Sequence, residues 1–226
     1  MNNEICTASV DKLKFEREFV YDKILLLKLT MQYFKVNISK RSTSEYKINN
    51  YIQKQTEEFY KYASETLIKQ AYIQYQDSIK NGFPFNNYEA MLVYNITLNN
   101  YCFFSFYSDK YEYTGGAHGL TTKSSATFNL CNGKKIPLFA YFDTKNYQEL
   151  LIKLIQMIAE ENYIANPGIY FENYKELISE NFNPESYFLT ENSISIYYQQ
   201  YEIAPYSTGI VVFEIPYSVA ACPPSC

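Results

Sequence analysis

Apolar positions recur along this chain with two different periods. Ile48, Ile52, Phe59, Ala63 and Leu67 fall on one stripe, with Gln, Lys and Glu on the other faces. That spacing predicts a long amphipathic helix from an N-cap at Ser44 to about Ser78, stopped by Asn81-Gly82 and Pro84. Upstream, residues 19–38 are rich in β-branched, aromatic and leucine residues and hold no Gly or Pro. They read as one extended strand, with Lys40 to Ser44 as a loop. Downstream, two apolar runs, Met91 to Leu98 and Tyr101 to Ser108, flank Asn99-Asn100, a pair that tolerates the positive φ angles of a two-residue hairpin turn. The register sets Leu98 against Tyr101, Ile96 against Phe103 and Tyr94 against Ser105. Thr97, Asn95, Cys102 and Phe104 fall on the wetter face, and the drier one packs under the long helix.

The second half changes character. Tyr113 to Gly119 is a glycine-rich connection, and Thr121 to Leu130 follows as a strand turned by Asn132-Gly133. Leu150, Leu151, Leu154, Ile155 and Ile158 predict a helix over Tyr147 to Tyr163, ended by Asn166-Pro167-Gly168. A shorter helix carries Phe171, Tyr174, Leu177 and Ile178. Tyr187 to Leu189, Ser193 to Tyr198 and Ile210 to Ile215 read as strands. Helices and strands come in blocks rather than in βαβ alternation. The expected fold is α+β, with antiparallel sheet or sheets packed against one long N-terminal helix and a second helical pair. A subdomain at 10–112, another at 113–218 and a tail at 219–226 are the expected divisions.

The length of 226 residues and a hydrophobic share of 47% provide for a sizeable core and exclude a disordered chain. A net charge of −4, with no dense run of Lys or Arg, argues against nucleic acid as a partner. No apolar stretch is long enough to span a membrane, and none resembles the core of a signal peptide, so neither is expected in these residues and the compartment stays open. The five cysteines, Cys6, Cys102, Cys131, Cys222 and Cys226, are too few for a disulfide scaffold, and their odd number leaves one over. Cys222 and Cys226 offer two thiolates with only a distant Cys6 and no nearby histidine. A structural reading is therefore preferred to a metal site, and no cofactor is expected.

The chemistry-bearing residues are few. His118 is the sole histidine, which rules out multi-histidine metal sites. As a catalytic base it would need Ser124, Ser125 or a distant thiol, without a G-x-S-x-G motif. A loop histidine bonding a backbone carbonyl is the preferred reading. Gly115, Gly116 and Gly119 lack the G-x-G spacing and the following Lys-Ser/Thr of a phosphate loop, so turn geometry explains them better. Glu160-Glu161 reads as a solvated helix face rather than a glycosidase pair. Tyrosine is abundant, at 25 residues against no tryptophan, and it concentrates in Tyr197 to Gly209. There a rigid Pro205 and a closing glycine would hold Tyr201 and Tyr206 in place, and aromatic rings on a stiff loop suit recognition. The alternative is that Tyr198 and Tyr201 pack in the sheet and Tyr206 alone is exposed.

Three segments carry a resemblance: Tyr113-Thr114-Gly115-Gly116-Ala117-His118-Gly119; Gly133 to Phe142; and Tyr201-Glu202-Ile203-Ala204-Pro205-Tyr206-Ser207-Thr208-Gly209, ending in Ile215-Pro216-Tyr217. Together they resemble the extracytoplasmic domain of RsiV-type anti-sigma factors, which also precedes the catalytic part of the peptidoglycan deacetylase PdaC. The resemblance implies a non-catalytic binding module whose partner is a lysozyme-like protein or a peptidoglycan fragment. It implies ligand contacts from Tyr113, Thr114, Gly115, Gly116, His118 and Gly119 in one loop, and from Tyr201, Pro205 and Tyr206 in the other. Two rivals come from other classes: a hydrolase or deacetylase of wall sugars with His118 as base, and a structural protein cross-linked through Cys222 and Cys226.

Overall fold

A computed structural model describes residues 6–218. Among them lie eight strands in two sheets and three helices, one of them 40 residues long, an α+β architecture. The chain divides into two units. The first comprises Ser9–Tyr94 and Ser108–Thr122; the second comprises Met1–Ala8, Asn95–Tyr107 and Lys123–Cys226.

The first unit begins with a hairpin where one strand was expected. β1 (Ser9–Tyr21) pairs antiparallel with β2 (Ile24–Asn37) across a two-residue turn at Asp22-Lys23. Both turn residues take positive φ, 46° and 66°, the conformation that matches the right-handed twist of paired strands. Neither is Gly or Asn, so the turn leaves no local signature. β1 carries Leu13, Phe15 and Phe19 among Lys, Arg and Glu; Phe15 and Phe19 are half-buried and Leu13 is exposed.

The long helix begins at Ser42, two residues before the expected cap. Ser44 is buried in its first turn, and the Glu45 carboxylate accepts from the Ile38 N–H at 2.8 Å, fastening the entry. The helix comprises α1 (Ser42–Lys61), a π-helical turn (Tyr62–Leu67) and α2 (Ile68–Asn81). Its buried positions Ile48, Ile52, Thr56, Phe59, Ala63, Leu67 and Ala71 recur on average every 3.8 residues or so, more than the 3.6 of an α-helix. A regular helix would rotate that stripe off the sheet. The π turn takes up an extra residue and keeps it in phase. The stripe closes on Leu26, Leu27, Leu29 and Met31 of β2 and on Tyr88, Ala90 and Leu92 of β3 (Tyr88–Asn100). The helical connection makes the β2–β3 pair parallel.

β3, β4 (Phe103–Tyr113) and β5 (Leu120–Asn129) continue the five-stranded sheet, in the order β1-β2-β3-β4-β5. The β3–β4 turn is Tyr101-Cys102, two residues beyond the expected Asn99-Asn100. The asparagine pair is held in β3 because the Asn99 side chain bonds the backbone of Ala8 on both sides: its Oδ1 accepts from the Ala8 N–H at 2.9 Å and its amide donates to the Ala8 carbonyl at 2.7 Å. Phe104, expected on a wetter face, is fully buried.

The second unit carries a three-stranded antiparallel sheet of β6 (Tyr187–Leu189), β7 (Ser193–Tyr198) and β8 (Val211–Pro216). α3 (Tyr147–Ala165) and α4 (Tyr174–Glu180) pack with it around Leu151, Ile155, Ala159, Ile178, Ile194, Ile196, Tyr198 and Phe213. The residues 219–226, including Cys222 and Cys226, lie outside the described residues, so the expected tail and its cross-linking cysteines lie there too.

Candidate functional site: two anchored loops

The glycine-rich loop, residues 114–119, joins β4 to β5 within the first unit. Two glycines answer to different constraints. Gly115 has φ of +84°, and its Cα faces the Gln74 side chain of α2, where an added Cβ would come within 3.3 Å. The Asn86 amide donates to the Gly115 carbonyl at 3.3 Å and moors the loop. Gly119 is required by a close approach: an added Cβ would sit 2.4 Å from the Tyr111 ring and 2.6 Å from the Glu112 carbonyl. The expectation of turn geometry thus describes Gly115 and not Gly119. Thr114, Gly116, Ala117 and His118 are exposed, and Tyr113 is half-buried. The His118 Nδ1 lies 3.3 Å from the Gly119 carbonyl oxygen, the backbone contact expected of a loop histidine.

The tyrosine-bearing loop, residues 199–210, lies in the second unit. Its base is clamped by Gln199. β5 is the last strand of its sheet, and the Gln199 amide pairs with it as another strand would: Nε2 donates to the Lys123 carbonyl at 2.7 Å and Oε1 accepts from the Lys123 N–H at 2.8 Å. The Gln199 N–H donates to the Glu202 carboxylate at 2.7 Å. Burial raises the Glu202 pKa above the ordinary carboxylate value, and that backbone hydrogen bond opposes the rise. Ile203 and Ala204 are buried in the core, while the Ile203 carbonyl accepts from the Phe171 N–H and the Thr208 hydroxyl donates to the Ile169 carbonyl. Gly209 closes the loop with φ 77° and ψ −148°, a region essentially restricted to glycine.

Above this plug Tyr201 and Tyr206 face each other, ring centroids 6.0 Å apart and planes at 32°. Tyr201 is 47% exposed; Pro205 and Tyr206 are half-buried. Tyr198 instead points inward, its hydroxyl donating to the Ile178 carbonyl at 2.9 Å. The outcome lies between the two readings of the sequence: Tyr198 packs in the sheet and Tyr201 does not. The structure brings Tyr201, Pro205 and Tyr206 together on one platform. Tyr113 to Gly119 belong to the other unit.

Two further groups had little signal in the sequence. Lys123 is 8% exposed, with its ammonium 3.4 Å from the centroid of the Tyr107 ring, a cation–π contact. Its position amid polar Thr121, Thr122, Ser124 and Ser125 suggests a solvated strand. Cys6, Cys102 and Cys131 gather in space, although no spacing in the sequence joins them.

Comparison with known proteins divides the chain in a related way. Residues 22–121 match the family model described as deacetylase PdaC, and residues 142–218 match that of a protein family of unknown function, DUF3298. Two solved structures share the fold. A DUF3298-family member from Bacteroides fragilis superposes with a TM-score of 0.71 at 19% identity, over 94% of this chain and 92% of that one. A DUF3298-family protein from Pseudomonas aeruginosa PAO1 gives a TM-score of 0.64 at 16% identity, again over 94% and 92%. No match was found among curated proteins. No helix among the described residues is long and apolar enough to cross a membrane.

Proposed function

We propose that this protein is a non-catalytic, cell-wall-associated recognition domain, and that its partner is a lysozyme-like protein or, failing that, a peptidoglycan fragment. The two matched families support the cell-wall setting, one through the deacetylase it is named for. The observation that carries the recognition reading is the Tyr201–Tyr206 pair on a loop whose backbone is already fixed. Tyrosines add contact area at small entropic cost, and a fixed loop has little left to lose on binding. The net charge of −4 favours encounter with a basic partner, accelerating association more than tightening it. Support for a non-catalytic role comes from His118, whose ring lies against a backbone carbonyl on an exposed loop.

Calorimetric titration with lysozyme and with muropeptides, at low and moderate salt, tests the proposal. Binding at tens of micromolar or tighter corresponds to roughly −6 to −7 kcal/mol or better. Heat with lysozyme that weakens with salt is the expected result. Heat only with muropeptides transfers the partner to the wall glycan, and heat with neither refutes the reading. Acetate or reducing-end release from peptidoglycan that disappears in His118→Ala would establish the enzymatic alternative instead.

A further inference from the structure

The first unit holds an open groove of about 470 Å³ between β1 and α2. Both of its walls depart from regular geometry where they border it. The β1–β2 register slips there: Phe19 faces Leu27 and Val20 faces Leu25, which leaves Leu26 without a residue opposite. This bulged leucine is buried and lines the groove. On the helix, the π-helical turn ends at Leu67, and Ile68, Lys69 and Tyr72 follow it as the other wall. π turns and β-bulges both concentrate at functional sites, where a bulge re-aims side chains. Keeping the buried stripe in phase explains the π turn alone. It does not explain why a bulge borders the same groove.

The lining combines an apolar surface with two cationic points. Tyr21 and Tyr72 meet edge to face from the two walls, ring centroids 4.9 Å apart and planes at 77°. Both rings are exposed, as is Val20, so apolar surface faces water here. Arg17 of β1 and Lys69 of α2 bring positive charge from opposite sides. The Arg17 guanidinium carbon lies 4.7 Å from the centroid of the Phe19 ring and 6.0 Å from that of Tyr60, and the group donates to the Tyr60 hydroxyl. These contacts hold the guanidinium in place and leave it further N–H donors for a ligand. Among the described residues, neither Arg17 nor Lys69 has a carboxylate within ion-pairing distance. Glu18 also borders the groove, and Lys28 stands opposite it in the β1–β2 register.

We propose that this groove binds a small amphiphilic carboxylate, its acid group held by Arg17 and Lys69 and its apolar body laid against Tyr21, Tyr72 and Ile68. A fixed guanidinium presents paired donors that match a carboxylate, and Lys69 adds a mobile point charge. With Glu18 nearby, a single negative charge is matched better than the multiple charge of a phosphate. The aromatic and leucine lining offers nothing to a bare inorganic ion and calls for a ring or chain beside the acid. Both cations are solvent-exposed, which limits the ion pairs and sets an affinity on the order of 0.1 mM. The groove belongs to the unit that does not carry Tyr201 and Tyr206, so it is tested separately from that platform.

Calorimetric titration of the full chain with 1-naphthaleneacetate and with decanoate, each beside its uncharged amide, provides the test. At least one acid should bind, its amide at least tenfold more weakly, and the better acid identifies a planar or an extended body. Lys69→Gln places a good helix former at an exposed position, so it should keep the urea midpoint of wild type. It should nevertheless weaken binding of that acid at least threefold. Arg17→Gln should weaken it at least as much, and Lys153→Gln, an exposed lysine of the other unit, should leave it unchanged. Absence of heat with both acids at about 2 mM overturns the proposal. So does equal binding of acid and amide, wild-type affinity in Lys69→Gln, or equal weakening by Lys153→Gln, which would mean attraction to charge at large.

Discussion

Three glycines separate two reasons for which a protein requires the residue, and their substitution by alanine gives distinct outcomes. At Gly119 the obstacle is space. An added Cβ would meet Tyr111 Cε2 at 2.4 Å, Cζ at 2.5 Å and the Glu112 carbonyl at 2.6 Å. The tyrosine ring could swing away, but the Glu112 carbonyl belongs to β4 and cannot move without disturbing that strand. Overpacking of this kind costs about 1–3 kcal/mol, and the rigid backbone partner favours the upper end. At Gly209 nothing lies within 4 Å, yet φ 77° with ψ −148° strains any side chain by about 1–3 kcal/mol. At Gly116 neither obstacle exists, so alanine should be neutral or stabilise by up to about 1 kcal/mol through the unfolded chain. Urea unfolding followed by circular dichroism measures all three, the midpoint giving stability and an unchanged slope validating the comparison. A Gly119→Ala midpoint equal to that of Gly116→Ala would refute the reasoning, because it would mean the β4–β5 junction yields without cost.

Tyr201→Ala and Tyr206→Ala should each weaken lysozyme or muropeptide binding at least tenfold in calorimetry while shifting stability by less than about 0.5 kcal/mol, since both rings stand on the plug rather than in it. Gln199→Ala leaves both backbone groups of Lys123 without their side-chain partner and should destabilise by about 1–3 kcal/mol in the same urea assay. Glu202 has a raised pKa when folded, so the native state holds its proton more tightly and its contribution is lost as pH rises through that value. Glu202→Gln should therefore gain stability relative to wild type as pH increases from 4 to 7; a constant difference would count against burial as the cause. Burial also raises Tyr94 and Tyr217 to about 12, and Tyr141, Tyr187 and Tyr198 further. Absorbance titration near 295 nm should show these tyrosines ionising only with unfolding above pH 11, and smooth titration of all tyrosines near pH 10 would refute it.

What the sequence revealed followed from how locally each feature is determined. The Ile48–Leu67 stripe, α3 and the three short strands of the second unit rest on periodicity, and each is visible within a dozen residues. The missed features depend on distant partners. Asn99-Asn100 has the composition of a turn, but Ala8 engages the Asn99 amide and the turn passes to Tyr101-Cys102, two residues with no such preference. The Asp22-Lys23 turn is equally silent, which is why the strand read over residues 19–38 runs through it and the rest of β1 went unread. Tyr201 and Tyr206 were legible as rings held on a fixed loop because the proline and glycine beside them announce a stiff loop. The clamp through Gln199 and the meeting of three cysteines are set by tertiary pairing, and no local pattern encodes either.

The supernumerary residue in Tyr62–Leu67 makes the long helix a counted device as well as a packed one. Deleting one position there would restore an unbroken α-helix whose stripe recurs about every 3.7 residues, close to the α-helical period, so Ala71 would stay on the sheet and Gln74 beneath Gly115. A deletion between Ile68 and Ala71, where no bulge absorbs it, would instead turn everything beyond it by about 100° and carry Gln74 away from Gly115, some forty residues later in the chain. The pose of an exposed loop is thus governed by arithmetic performed inside a helix, and the same one-codon loss is silent or disruptive according to the turn it falls in.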